Sequence, residues 1–351
     1  MRPTAPRGLI ITMSTHTPRL CIDGRAAAEF PSRALIAQEL IDQLVAAGGE
    51  GQETSSDWID KQRTVLLSHP GQIFSGQLRR FETKRRIGLS PLYWFWEKQF
   101  VKKANISVFH RFRPADRLGP SHNLPTLTTV LPGGSPRRSR AGKQKNHRFV
   151  VPSELDAKVL ETRFKVSRDR IEIAAPSVRR YVHFTELPKD NMPGTVLFLV
   201  GSRSEKTNYK KLIPLIGNRF PNLRQKVIPL SRKHVFSPVK WMETLARTKY
   251  CFYLTDRAFD WPTLALEAFY WNIPCIYLGS HAALSEMISI SSLELSRFLV
   301  NQPDPSALSI ACHSARQQLE NRGAFDALAM AKQFNRYYET LAGKSENVPT
   351  L

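Results

Sequence analysis

The feature that most constrains the fold is a repeated alternation of short apolar runs with segments of helical periodicity. It occurs once before the polar stretch at 187–194 and again after it. An apolar run at 19–23 precedes helical spacing over 32–47, and a run at 195–200 precedes a predicted helix over 209–219. Strands separated by helices pair in parallel, because the chain must cross over the sheet between them. We therefore predict an α/β fold with two parallel-sheet domains.

Basic residues are concentrated in the middle of the chain. Lys and Arg number 51 against 30 Asp and Glu, which gives a formal charge of +21. Residues 74–148 carry 17 basic and 3 acidic groups and residues 149–249 carry 20 and 9, whereas both ends are slightly negative. This distribution indicates an anionic partner such as a nucleic acid, an acidic membrane face or a phosphorylated ligand. A solvated basic face that keeps the protein soluble is the alternative interpretation.

Cysteine spacing and hydropathy narrow the class of protein. The four cysteines are far apart and lack metal-binding spacing, so we interpret them as reduced, mostly buried thiols: Cys21, Cys251, Cys275 and Cys312. No apolar run approaches the roughly 18 residues that span a bilayer. The apolar stretch near residue 10 is too short for a secretory signal. We therefore predict a cytoplasmic protein without a metal site.

Residues directly after the strands are the first candidates for a site, because parallel sheets bind ligands at the carboxyl ends of their strands. The strand at 195–200 is followed by Gly201, Arg203 and Lys206. The glycine lets the chain turn closely, and the two cations suit a diphosphate. An ordinary strand-to-helix turn with exposed charges would contain the same residues.

A second candidate region begins at Pro262, which ends an incoming loop and starts a predicted helix. The backbone N–H groups of Thr263 and Leu264 are expected at the positive end of that helix, where they suit a phosphate. Glu267 follows one turn later. Its carboxylate can accept hydrogen bonds from the vicinal hydroxyls of a sugar, or it can pair with a local Arg.

The run 262–268, with Ile-Pro-Cys-Ile at 273–276 and Glu286 after it, resembles the carboxyl-terminal signature of group 1 glycosyltransferases. Weaker likenesses occur in the expected order at 22–25, 150–154, 170–177 and 199–206, and the resemblance is good over about residues 150–290. The family consists of retaining enzymes that use nucleotide sugars. It implies an α/β fold with two Rossmann-like parallel-sheet domains facing a cleft, the B-type glycosyltransferase fold.

The same resemblance implies a donor site. The donor diphosphate is expected to lie against five residues: Gly201, Arg203, Lys206, Thr263 and Leu264. Glu267 would bind the ribose of the nucleotide. The resemblance implies no cofactor and no metal, since the nucleotide sugar is itself a substrate, and the partner that receives the sugar would be a glycan or a lipid-linked acceptor.

Two positions depart from the family pattern. The carboxylate expected eight residues before Glu267 is replaced by Phe259, with Asp260 one residue later, and a mid-domain His-Asp pair is replaced by residues 131–133. We name Asp260 and His110 as the candidate catalytic residues. Asp260 is the carboxylate nearest to the missing one. His110 ends a predicted strand, where it can line the cleft, although a His in such a place also commonly has a structural role.

The expected domain limits follow from the polar link and the resemblance. Residues 1–18 are expected to be disordered or to contain the true start at Met13. Residues 19–187 would form an acceptor-side N-terminal domain and residues 188–322 a nucleotide-sugar-binding C-terminal domain. Residues 323–351 would return to the N-terminal domain as a helix and end in a tail.

The segment 92–103 is both aromatic and basic, with four consecutive aromatic residues at 93–96. One interpretation is an interfacial helix that makes peripheral contact with anionic lipid at the inner membrane face. The alternative is a helix packed against the N-terminal sheet.

Three functions remain in competition. The leading hypothesis is transfer of a sugar, with retention, from a nucleotide-sugar donor to an unknown acceptor, which is a glycan, a lipid or a small molecule. The second is a non-catalytic relative of this fold that binds a nucleotide or a glycan. The third is a nucleic-acid-binding protein that uses the basic middle, and it is the least favoured because no nucleic-acid-binding module is recognisable.

Overall fold

The computed structural model describes residues 20–25, 41, 64–68, 79–82, 99–102, 104, 106–115, 118, 124–133, 146–179, 182, 186–187, 194–201, 209–230 and 237–343. The expectation of a disordered segment at 1–18 falls outside these residues. The predicted helix at 32–47 and the aromatic and basic segment at 92–103 also fall outside them, except for residues 41 and 99–102.

Among the described residues, seven parallel strands form the first sheet, in the order β3-β2-β1-β4-β5-β6-β7. Their bounds are β1 Leu20–Asp23, β2 Thr64–Ser68, β3 Arg79–Glu82, β4 Val108–Pro114, β5 Thr126–Leu131, β6 His147–Val151 and β7 Ile171–Ile173. Every residue of β1 and of β5 is buried. Parallel strands are commonly covered on both faces, which is why even the threonines of β5 are buried.

Four parallel strands form the second sheet, in the order β11-β10-β8-β9. Their bounds are β8 Thr195–Val200, β9 Arg224–Pro229, β10 Thr248–Leu254 and β11 Cys275–Tyr277. The chain moves outward in one direction from β8 to β9 and in the other direction to β10 and β11, so the order reverses between β8 and β10. The two parallel sheets confirm the predicted α/β fold class.

Helices connect and cover the strands. Helix α1 Glu154–Phe164 follows β6, and the described residues of the second domain contain six further helices: α2 Leu212–Gly217, α3 Pro238–Arg247, α4 Thr263–Tyr270, α5 Ala282–Met287, α6 Leu295–Asn301 and α7 Pro305–Asn321. Ser153 begins α1, because its side chain accepts a hydrogen bond from the Asp156 N–H. Helix α4 is nearly all apolar, and its first seven residues are buried.

The last helix, α8 Ala327–Gly343, packs on the first sheet. Phe334 and Tyr338 join the apolar cluster that contains Phe112 and Leu127 of β4 and β5. The Tyr337 hydroxyl donates to the carbonyl of Ile173 at 2.7 Å. The end of the described chain is therefore anchored to the first sheet and not to the second.

A turn separates α7 from α8. Helix α7 ends at Asn321 and α8 begins at Ala327. Gly323 between them has a φ of 71°, a left-handed conformation that glycine adopts without steric cost. Among the described residues, no helix is both long enough and apolar enough to cross a bilayer.

Candidate functional site

A cleft lies at the carboxyl ends of the second sheet, at the point where its strand order reverses. Gly201 follows β8, Thr255 follows β10, and Thr263 and Leu264 begin α4 beside them, while Pro132 of the first domain faces them. The space enclosed between these walls, among the described residues, is about 20 Å³. Such reversal points are where open α/β sheets bind their ligands.

The loop before α4 is held by both domains. Phe259 inserts into the apolar cluster of the first domain, where its ring meets Phe164 edge to face with centroids 6.1 Å apart. Its φ is 63°, a left-handed conformation that is strained for a side chain of this size. Trp261 is also buried in the first domain, and its indole N–H donates to the carbonyl of Val130 at 3.1 Å. The residue between them, Asp260, lies against the cleft.

Phe259 occupies the position where the family pattern has a carboxylate, and the structure places it away from the cleft. Its side chain is 2% exposed and surrounded by apolar residues of the first domain. A glutamate in the same orientation would put a charge into that apolar cluster, which is costly without a partner. Replacing Phe259 by Glu would therefore destabilise the domain contact rather than restore a catalytic group.

Asp260 is oriented by two hydrogen bonds to one of its oxygens. Its Oδ2 accepts from the Tyr253 hydroxyl at 2.8 Å and lies 3.0 Å from Nε2 of His281. The Nδ1 of His281 accepts from the Leu284 N–H at 3.3 Å, so a neutral imidazole carries its proton on Nε2 and donates it to Asp260. Burial, followed by the nearby Asp260 charge, raises the pKa of Tyr253 well above its usual value, which keeps the phenol as a donor. The second oxygen of Asp260, Oδ1, accepts no hydrogen bond from any described residue.

Helix α1 of the first domain contacts the same region. Asp156 is 2% exposed, and its carboxylate accepts from the Phe259 N–H at 2.7 Å and from the Ser153 hydroxyl at 2.6 Å. Burial raises the pKa of Asp156 to about 6, and the two hydrogen bonds oppose that rise only in part. The Glu286 carboxylate accepts from the N–H groups of Glu154 and Leu155 at 2.9 and 2.7 Å. A side chain of the second domain thus caps α1 of the first.

Glu267 is fully buried inside α4 and paired. Its Oε1 accepts from the backbone N–H and Nε of Arg179, at 3.2 and 2.6 Å, and its Oε2 accepts from Nη2 of Arg179 and Nε1 of Trp241, at 2.8 and 2.6 Å. These four bonds fill the roughly four acceptor positions of a carboxylate. The alternative of pairing with an Arg is thus the one observed. A ribose can bond to Glu267 only if this arrangement opens, and the ribose role stays a prediction.

His110 lies in the interior of the first domain and not at a cleft wall. Its ring nitrogens lie 2.6 Å from the Tyr338 hydroxyl and 2.8 Å from the Thr129 hydroxyl, and its ring stacks on Phe112 and Phe334. Burial lowers the pKa of His110 to about 3, so the imidazole is neutral. The expectation that it lines the cleft was wrong, because α8 covers the face of β4 from which it projects. Its role in this structure is to join α8 to the sheet.

The residues predicted to hold a diphosphate are only partly described. Gly201, Thr263 and Leu264 line the cleft together, whereas Arg203 and Lys206 fall outside the described residues. The Thr263 N–H donates to the Trp261 carbonyl at 2.8 Å, so it is not directed at the cleft. The Leu264 N–H lies ahead of the first helical hydrogen bond, which Leu266 donates to Pro262. The segment 23–25, part of the stretch 22–25 that resembles the family, is buried, and its Asp23 and Arg25 side chains form an ion pair.

Sequence reasoning missed several residues of this region. Tyr253, Thr255 and Arg257 line the cleft, and His281 orients Asp260 from behind. Tyr253 lies within an apolar run, and Thr255 follows directly after it. The rule that sites follow strands could therefore have identified Thr255. The position of His281 had no such signal, because it depends on a turn that brings residue 281 back to residue 260.

Comparison with known proteins identifies the fold. No protein-family model matches the chain, and no curated protein is significantly similar in sequence. Among solved structures, a glycosyltransferase from Rickettsia africae ESF-5 is similar with a TM-score of 0.62 over 93% of this chain and 99% of that one, at 12% identity. The fold is that of the B-type glycosyltransferases. Anabaena HepE, solved with UDP and glucose, is similar with a TM-score of 0.55 over 92% of this chain and 100% of its own, at 9% identity.

Proposed function

We propose that this protein is a glycosyltransferase that moves a sugar from a nucleotide-sugar donor to a glycan, lipid or small-molecule acceptor, with retention. The observation that carries this proposal is the cleft between two parallel-sheet domains, at the reversal point of the second sheet, with the start of α4 and the carboxylate of Asp260 in its wall. The similarity to a protein that was solved with UDP and glucose supports a donor of this class.

In this proposal the donor diphosphate lies at the start of α4. Leu264 contributes a backbone N–H group at the positive end of the helix, and Gly201 lets the chain after β8 approach closely. Arg203 and Lys206 supply the positive charge that neutralises the diphosphate as it leaves. Such stabilisation acts most strongly in the transition state, where the leaving group carries more negative charge than in the bound donor.

Asp260 is the proposed catalytic carboxylate. Because Tyr253 and His281 hold Oδ2, the direction of Oδ1 is fixed. In our proposal this oxygen faces the donor sugar, where a negative charge offsets the positive charge that develops on the ring as the bond to the diphosphate breaks. The acceptor hydroxyl approaches from the side of the first domain.

A binding screen is the first test. We expect one class of nucleoside diphosphate, and the matching nucleotide sugars, to raise the melting temperature of the full chain, because a ligand that binds only the folded state stabilises it. Donor hydrolysis, or transfer to an acceptor extract, should then be measurable with that donor.

Lys206→Ala should lower turnover more than donor binding, because its charge is needed most as the diphosphate leaves. If no nucleoside diphosphate binds, the proposal is wrong.

A non-catalytic protein that binds a nucleotide or a glycan is the second candidate function. It is favoured by the position of Phe259, which replaces the usual carboxylate and is committed to the first domain. The pairing of Glu267 with Arg179 points the same way. This alternative would be supported if the parent binds a nucleotide sugar but neither hydrolyses it nor transfers its sugar, and if Lys206→Ala leaves that near-zero turnover unchanged.

Peripheral contact with an anionic membrane is part of the proposal for the acceptor. It is supported by the 17 basic and 3 acidic groups of residues 74–148. We propose a cytoplasmic protein that meets a lipid-linked acceptor at the inner membrane face. Sedimentation with vesicles that contain anionic lipid, and not with neutral vesicles, is the expected result. Equal sedimentation with both, or with neither, would contradict it.

A further inference from the structure

Thr255 has an unusual environment for a hydroxyl group. The residue is 0% exposed, and its Oγ1 has no hydrogen-bond partner among the described residues, although it lies in the wall of the cleft. Buried polar side chains are nearly always paired in folded proteins. A valine would fill the same volume without a polar atom to satisfy. The unpaired hydroxyl therefore points to a partner that binds to the protein.

The position of Thr255 in the sheet indicates which kind of partner that is. Leu254 and Val200 are paired neighbours in β10 and β8, so the next residues, Thr255 and Gly201, lie beside each other at the point of reversal. The first turn of α4 lies against the same part of the cleft through Leu264. A hydroxyl, a close glycine and a helix N-terminus together favour an anion with several acceptor oxygens.

We infer that Thr255 is a ligand-binding residue whose hydroxyl donates a hydrogen bond to an oxygen of the donor diphosphate. This inference rests on the proposed function, because it assigns a contact within the proposed donor site. No covalent step is involved: Oγ1 keeps its proton and donates it to a phosphate oxygen. Since Thr255 has no exposed surface, the walls of the cleft must move apart before a ligand reaches it.

The test compares Thr255→Val with Thr255→Ser in the full chain. Valine keeps the shape and removes the hydroxyl, whereas serine keeps the hydroxyl and removes the methyl group. Two probes are titrated by calorimetry: the nucleoside diphosphate selected by the screen, and inorganic pyrophosphate, which has neither base nor sugar. Hydrogen bonds to charged groups contribute enough that we expect Thr255→Val to weaken both probes by about 10- to 100-fold. Thr255→Ser should bind within about threefold of the parent.

Stability gives an independent readout. Without ligand, the melting temperature of Thr255→Val should equal or exceed that of the parent, because the variant removes an unsatisfied buried hydroxyl. A fall of several degrees would mean that the hydroxyl is already bonded, for example to a water molecule, and would overturn the inference.

The remaining outcomes separate this inference from the proposed function. If the parent binds the nucleoside diphosphate and Thr255→Val binds it equally well, the contact is wrong while the donor site stands. If Thr255→Ser loses as much binding as Thr255→Val, the hydroxyl alone does not account for the contact, which also overturns the inference. If the parent binds neither probe, the proposed function fails and the contact fails with it.

Discussion

The interior of α4 and the loop before it each contain a buried carboxylate, and the two are used differently. Glu267, in the helix, is bonded to the cation of Arg179 and to Trp241, and all its acceptor positions are filled. Asp260, in the loop at the cleft, is bonded through one oxygen to Tyr253 and His281, and its other oxygen accepts no hydrogen bond from the described residues. A carboxylate can act on a ligand only where its neighbours leave part of it unsatisfied, so burial alone does not distinguish a structural acid from a functional one.

The largest expected effect is that of Glu267→Gln on stability. The substitution removes the carboxylate charge from its buried ion pair with the Arg179 guanidinium, and breaking a buried pair in this way costs about 3–5 kcal/mol. The free energy of unfolding, measured with urea, should fall by that amount. The control is the double variant Glu267→Leu with Arg179→Met, which removes both charges and should recover most of the loss. A stable Glu267→Gln that has lost only donor binding would restore the predicted ribose role.

Asp260→Asn should affect turnover instead. Asparagine keeps an oxygen that can accept from Tyr253 and His281 but removes the negative charge, so folding should change little. Loss of one preorganised electrostatic group commonly lowers turnover about 100- to 1,000-fold, or roughly 3–4 kcal/mol. Steady-state hydrolysis or transfer with the selected donor measures it. Unchanged turnover would mean that Asp260, like Glu267, is only structural.

Asp156→Asn tests a third carboxylate, at the contact between the domains. The pKa of Asp156 in the folded protein, about 6, lies above the ordinary value of 3.8, so the folded state holds this proton more tightly than the unfolded state does. The contribution of the protonated acid to stability is present below about pH 4 and is lost as the pH rises through 6. That loss amounts to roughly 2–3 kcal/mol.

The amide of the Asp156→Asn variant cannot ionise, and it can still accept from the Phe259 N–H. Unfolding free energies of parent and variant, measured between pH 4 and pH 7.5, should therefore diverge as the pH rises, with the variant losing less stability. Parallel curves would show that Asp156 does not titrate in this range.

The smallest expected effect is that of His281→Asn. The imidazole orients Asp260 through Nε2 and begins α5 through Nδ1. Asparagine also begins helices well, so the variant keeps the cap and loses only the bond to Asp260. The value of one ordinary hydrogen bond predicts a decrease in kcat of about 3- to 10-fold at nearly constant KM. His281→Ala, which loses the cap as well, should melt at a lower temperature. If kcat falls by the same 3- to 10-fold in a His281 variant that still holds Asp260 in place, His281 must have another role.

The fold was largely predictable because its signals are local. The apolar runs of β8 and β10 and the helical spacing of α3 and α4 follow from short stretches of sequence. Gly323, with a φ of 71°, lies at the turn between α7 and α8, where glycine adopts a left-handed conformation without steric cost. The start of α4 at Thr263 was predicted from Pro262, which fixes the approach of the chain to a helix.

The sequence by itself determined the class of fold, the parallel pairing of the strands and the meeting of Gly201 with the start of α4 at the candidate site, since these depend on periodicity and on where strands end. Tertiary structure decided what each polar residue does there. His110 meets Tyr338 across 228 positions of the chain, Glu267 meets Arg179 across 88, and Asp260 meets His281 across 21. Whether a side chain is satisfied or left to bind a ligand depends on such distant partners, and no local pattern specifies them.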